Sequence, residues 1–126
     1  MKRILFIEDE SALQKTLSEI LKQENYEVFS AFDGESGLKT ALALPGGGKP
    51  DLILLDLILP KMHGFEVLQK LKEDEQTKNI PVIVLTNLER LEDIEKALKL
   101  GAFTYLVKAN YSLEEVLNKI KQALSA

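Results

Sequence analysis

The chain has 126 residues, with 16 Lys and Arg against 20 Asp and Glu, 45% hydrophobic residues, and neither Cys nor Trp. That length suits one domain, expected to span residues 1–126 without an output domain, and the lack of Cys excludes disulfide frameworks, thiolate metal sites and thiol nucleophiles. A formal charge of -4 with no basic block argues against direct nucleic-acid binding. No apolar stretch reaches the roughly 18 residues of a membrane span, so the reading is a cytoplasmic protein with no membrane partner.

Short apolar runs alternate with segments whose apolar residues recur every three or four positions, the pattern of βα units around a parallel sheet covered on both faces. The first strand is expected at 4–7. Ser11 and Gln14 have capping-box spacing at the start of a helix whose core stripe is Leu13, Leu17, Ile20 and Leu21. A strand at 27–31 and a helix near 34–43 follow. The glycine-rich segment 45–50 follows a helix and precedes a strand, so it reads as a connection on the opposite edge of the sheet, not as a phosphate cradle.

The third strand is expected at 52–55, with Asp51 before it read as a solvated loop residue, and a helix near 64–71 comes next. Pro81 closes the following segment ahead of a strand at 82–85. Leu91, Ile94, Ala97 and Leu98 mark the next core-facing stripe, with Gly101 placed to end that helix in a left-handed conformation. The fifth strand is expected at 103–107. Ser112 and Glu115 form a second capping-box pair before the stripe Leu113, Val116, Leu117, Ile120 and Leu124.

In an open α/β sheet the ligand crevice lies beyond the carboxyl ends of the strands. The residues there are Glu8, Asp9 and Glu10 after the first strand, Asp56 after the third, Thr86 ending the fourth and Lys108 after the fifth. Each has an ordinary reading: acids complement a helix dipole, Thr86 caps a helix starting at Leu88, and Lys108 lies on the surface. Together they form a polar set at one edge. Carboxylates meeting there need a cation, and their oxygens suit Mg²⁺. A phosphoryl group on Asp56 then meets the Lys108 ammonium and the Thr86 hydroxyl, which makes Asp56 a candidate nucleophile.

The motifs, in order, are Ile4-Leu5-Phe6-Ile7-Glu8-Asp9-Glu10, Asp51 to Leu57 with Pro60 and Gly64 following, Val84-Leu85-Thr86, and Gly101-Ala102 leading to Tyr105-Leu106-Val107-Lys108. On these the chain resembles the receiver domains of two-component response regulators, in particular the stand-alone ones. The resemblance implies a doubly wound, flavodoxin-like (βα)5 fold with a five-stranded parallel sheet in the order 2-1-3-4-5. It also implies that Asp56 is the phosphoacceptor, that Asp9 and Asp56 ligate Mg²⁺ with the Ile58 carbonyl while Glu8 acts through water, and that Thr86 and Lys108 assist.

Thr86 and Tyr105 match the family's switch pair, which alters the face made by the fourth helix, fifth strand and fifth helix. The implied partners are a sensor histidine kinase or a histidine phosphotransfer protein and a downstream protein target, with a homodimer through that same face left open. Only self-phosphorylation and self-hydrolysis are implied as activity.

Three departures from the family pattern bear on the site. Ala109 follows Lys108 where a cis proline is usual, so that loop is either trans and rearranged or strained. Asn87 replaces a small residue after Thr86, and Ile58 and Leu88 put branched apolar side chains two positions beyond Asp56 and Thr86. Those two are expected to slow hydrolysis of the acyl phosphate. His63, the lone histidine, stands before Gly64 and reads as a surface turn residue. A phosphorylation-independent pseudo-receiver is the alternative. A third reading, a nucleotide or flavin site, is argued against by three acids where a pyrophosphate wants N–H groups, and Asp56-Leu57-Ile58 lacks the second Asp of haloacid-type phosphatases.

Overall fold

The apolar runs become the strands Arg3–Ile7 (β1), Glu27–Ala31 (β2), Leu52–Leu55 (β3), Val82–Thr86 (β4) and Thr104–Val107 (β5) in the computed structural model, which describes residues 1–125. Ala126, the last residue of the expected domain, lies outside the described residues. The strands pair in parallel in the order β2-β1-β3-β4-β5. This is the expected doubly wound order. Between them run the helices Ser11–Gln23 (α1), Gly34–Leu42 (α2), Gly64–Glu73 (α3), Leu91–Lys99 (α4) and Leu113–Ser125 (α5).

Side chains alternate across a strand, so a run buried on both faces must feed two cores. Ile4 and Phe6 of β1 pack with Leu17 and Leu21 of α1 and with Val116 and Ile120 of α5. Leu5 and Ile7 pack on the other side with Val67, Leu68 and Leu71 of α3 and with Ala41 and Ala97. The sheet is therefore held between two helical layers, and both kinds of contact stiffen the strand ends that carry the polar set.

Two of the expected local devices form. Ser112 Oγ accepts from the Glu115 N–H at 3.1 Å while Glu115 Oε1 accepts from the Ser112 N–H at 2.9 Å. Gly101 has φ +107°, and the Gly101 and Ala102 N–H groups close α4 onto Leu98 O and Ala97 O. The glycine-rich connection leads into β3 at the end remote from Asp56, where Arg3 Nη1 donates to Gly47 O at 2.8 Å.

Three expectations need correction. Ser11 is the first helical residue rather than a cap, and Gln14 is buried and turned toward the strands. The α4 stripe is not core: only Ala97 is buried, while Leu91 is 69% and Leu98 47% exposed. α4 covers the edge of the sheet near β5, where a small residue makes the contact and few strands remain to shield the larger ones. Asp51 is not simply solvated, since its Oδ2 accepts from the Arg3 N–H at 2.7 Å and so ties β3 to β1.

Candidate functional site

The register of the sheet decides which side chains meet. Ile7 pairs with Leu55, so Glu8 and Asp56 leave adjacent strands side by side, and Thr86 pairs with Val107, which places Lys108 one residue further. The Asp56 N–H donates to Ile7 O at 3.0 Å and the Glu8 N–H donates to Ala31 O at 2.9 Å. Both carboxylates are thus held by the sheet at its carboxyl edge.

Asp56 is 4% exposed. Its Oδ1 accepts from the N–H groups of Leu57 and Ile58 at 2.7 and 3.2 Å, and its Oδ2 faces Lys108 Nζ at 3.1 Å. Glu8 is fully buried, with Oε2 accepting from the Glu10 N–H at 3.0 Å and Oε1 lying 2.7 Å from Lys108 Nζ. Glu10 Oε1 stands farther from the same ammonium, at 3.8 Å. One cation therefore serves three acids.

The electrostatics follow from that crowding. Burial pushes the Glu8 carboxyl up to about 7; the Lys108 and Glu10 contacts pull it down and the Asp56 charge pushes it further up. Burial alone would lower Lys108, but Glu8 and Asp56 outweigh it and raise the ammonium above its ordinary value. Lys108 stays charged across the working range.

Glu8, Asp9 and Asp56 each offer a carboxylate oxygen within 4.8 Å of the others. A hard-oxygen set of that size, with two of its members buried and one exposed, suits a divalent cation such as Mg²⁺, which keeps water on its open side. The Lys108–Ala109 bond is trans, since no peptide bond among the described residues is cis, and it lies within a 3₁₀ turn over Lys108–Asn110. With a trans bond, the loop still delivers the ammonium to the acids.

Thr86 is fully buried at the end of β4, and its Oγ1 accepts from the Leu88 N–H at a long 3.5 Å. It does not cap a helix: α4 begins five residues after it, at Leu91. The Tyr105 hydroxyl donates to Leu88 O at 2.8 Å, so Thr86 and Tyr105 grip the two sides of one residue in the β4–α4 loop. Burial, with the charges of Asp93 and Asp56, pushes the Tyr105 phenol up to about 12. Ile58 is 51% exposed beside Asp56, and Asn87 lines, with Lys108, a cleft of about 470 Å³ between α1 and the start of α5.

Three supporting residues were not legible in their roles. Gly64 N–H donates to Leu57 O at 2.8 Å, and any Cβ there would collide with the Asp56 carbonyl and Leu57 Cα, so only glycine lets α3 approach the loop after Asp56. His63 caps α3, its Nδ1 accepting from the Phe65 N–H at 3.1 Å with the ring stacked on Phe65. Gln14 spans the ends of β1 and β2 with its side-chain amide.

The model of the response regulator receiver domain matches residues 4–121. The chain belongs to that family. Over 124 residues this receiver is 41% identical to the DNA-binding dual master transcriptional regulator RpaA of a Synechocystis species, covering 98% of the chain and 49% of that regulator. It thus spans about half the length of that relative.

Among solved structures, the CheY-like response regulator receiver domain protein of Methanospirillum hungatei is 31% identical with a TM-score of 0.88, covering 99% of this chain and 94% of that one. The receiver domain of the sensor histidine kinase PA1611 of Pseudomonas aeruginosa is 25% identical with a TM-score of 0.86, covering 99% and 98%. That structure has a magnesium ion coordinated in its active-site cleft. No helix among the described residues of this receiver is long and apolar enough to cross a membrane.

Proposed function

We propose that this receiver accepts a phosphoryl group on Asp56 from a phosphohistidine of a sensor histidine kinase or histidine phosphotransfer protein. The observation that carries the reading is the Asp56 carboxylate: buried, with one oxygen fixed by two backbone N–H groups and the other facing a cation. A carboxylate oriented in this way at a ligand-binding edge is a nucleophile. One Asp56 oxygen attacks phosphorus, the P–N bond to the donor imidazole breaks, and the imidazole leaves with the electron pair and takes up a proton. The phosphoryl oxygens of the resulting acyl phosphate are stabilised by the Lys108 ammonium and the Thr86 hydroxyl.

Asp9 and Asp56, the Ile58 carbonyl and, through water, Glu8 are the groups to hold Mg²⁺, which when bound neutralises charge on the phosphoryl oxygens. The three converging carboxylates and the magnesium in the PA1611 receiver support that choice. Attack by water on phosphorus releases phosphate and regenerates Asp56. The phosphoryl group draws the Thr86 hydroxyl from its long contact with Leu88, and Tyr105, bonded to the same residue, moves with the loop. A downstream protein reads the change on the face of α4, β5 and α5, where α4 exposes Leu91 and Leu98.

The test is intact mass after incubation with Mg²⁺ and acetyl phosphate, beside Asp56→Asn. A gain of about 80 Da in the wild type alone is expected. No gain from acetyl phosphate or from a phosphohistidine donor, together with no uptake of Mg²⁺, would instead favour a phosphorylation-independent pseudo-receiver.

A further inference from the structure

Gln14 occupies a position where its helix should want an apolar residue. It sits on α1 between Leu13 and Leu17, is 3% exposed, and its amide oxygen has no hydrogen-bond partner. Burying half an amide unsatisfied costs more than burying a Leu or Met of similar volume, so packing alone does not account for it. The nitrogen does. Gln14 Nε2 lies 2.8 Å from Phe6 O, 3.1 Å from Glu8 O and 3.1 Å from Ala31 O. Turning the amide over would set its oxygen against three carbonyl oxygens, so the orientation is fixed.

Those three carbonyls belong to β1, to the last residue of β2, and to the residue just past β1 that carries the most buried acid of the site. Glu8 has left the strand, so its carbonyl has no place in the β1 ladder, and Asp9 is the next residue along. The Gln14 amide supplies the tie that the sheet no longer does. Rotation of the Glu8–Asp9 peptide would swing both neighbouring carboxylates relative to Asp56.

We propose that Gln14 is a positioning residue for the acid cluster, fixing the Glu8 carbonyl to the ends of β1 and β2 and thereby setting the cation affinity of Glu8, Asp9 and Asp56. The inference rests on the metal-site reading and extends it to a side chain outside the cluster.

The experiment compares wild type, Gln14→Met, which keeps the volume and removes the donor, and Leu17→Ala, which weakens the same helix without touching the carbonyls. Mg²⁺ alone is titrated and followed by amide NMR, with stability measured in parallel. Loss of an outer partner of a metal site typically costs 10- to 100-fold in affinity, so Gln14→Met should bind Mg²⁺ at least about tenfold more weakly while Leu17→Ala keeps the wild-type affinity. In the wild type the Gln14 side-chain amide resonances should move on Mg²⁺ addition, unlike those of the outlying Gln69, a readout that needs no variant to fold. Unchanged affinity in Gln14→Met, equal losses in both variants, or unmoved Gln14 resonances overturn the role of Gln14 alone. A wild type that takes up no Mg²⁺ overturns the metal-site reading and this inference with it.

Discussion

Lys108 Nζ stands 3.1 Å from Asp56 Oδ2, joining residues 52 apart in the chain, and the same ammonium reaches Glu8 Oε1 at 2.7 Å. Lys108→Met therefore leaves two buried carboxylates facing each other. Stripping one partner from a buried charge pair costs about 3 kcal/mol or more, so the variant should unfold at clearly lower denaturant at neutral pH. Mg²⁺ supplies the missing positive charge, and it should stabilise Lys108→Met more than wild type. Denaturant curves with and without Mg²⁺ check both halves, and an equal Mg²⁺ effect on the two proteins counts against the shared site.

The Tyr105 hydroxyl donates to Leu88 O only while it keeps its proton, and its phenol is pushed up to about 12 against an ordinary value of 10. Tyr105→Phe should lose about 0.5–1.5 kcal/mol at neutral pH, the usual worth of one hydrogen bond. The sign with pH follows from the raised value. The native-state advantage is complete below pH 10 and is lost as pH rises from 10 toward 12, because the unfolded chain releases the proton first. The stability gap between wild type and Tyr105→Phe should therefore narrow over that window; a gap that widens refutes a phenol raised by burial and the charges of Asp93 and Asp56.

The order of elements and the polar set at the strand ends could be read in the sequence, because fully apolar runs such as Leu52 to Leu55 have little alternative to a doubly covered strand. Glu8, Asp9, Asp56 and Lys108 meet because each follows such a run and the strands lie in register. Gln14 was misread because the three-residue spacing of a capping box is also the spacing of a side chain turned inward. Leu91 and Leu98 were misread because periodicity reports an amphipathic helix without saying what covers its face. His63 is exposed, as a surface turn residue would be, but residue type alone does not advertise that its Nδ1 accepts from the Phe65 N–H and so caps α3. The Thr86–Leu88–Tyr105 link depends on a loop path that no local pattern encodes.

Ile58 and Leu88 lie two residues beyond Asp56 and Thr86 at the carboxyl edge of the sheet. The Ile58 N–H donates to Asp56 Oδ1 at 3.2 Å, and Leu88 is held through Thr86 and Tyr105. Ile58 is half exposed, and neither side chain offers a hydrogen bond to a water approaching phosphorus. Hydrolysis of an acyl phosphate needs a water oriented in line with the bond that breaks, and an apolar rim both crowds that water and leaves it unguided. Replacing the pair by Ile58→Asn and Leu88→Glu introduces an amide and a carboxylate able to orient the water. The acyl-phosphate lifetime should fall by about tenfold or more, a modest share of what a positioned acid or base contributes. The decay of the phosphorylated mass after removal of acetyl phosphate measures it directly, and a lifetime equal to or longer than wild type shows that these two side chains do not control access of water to Asp56.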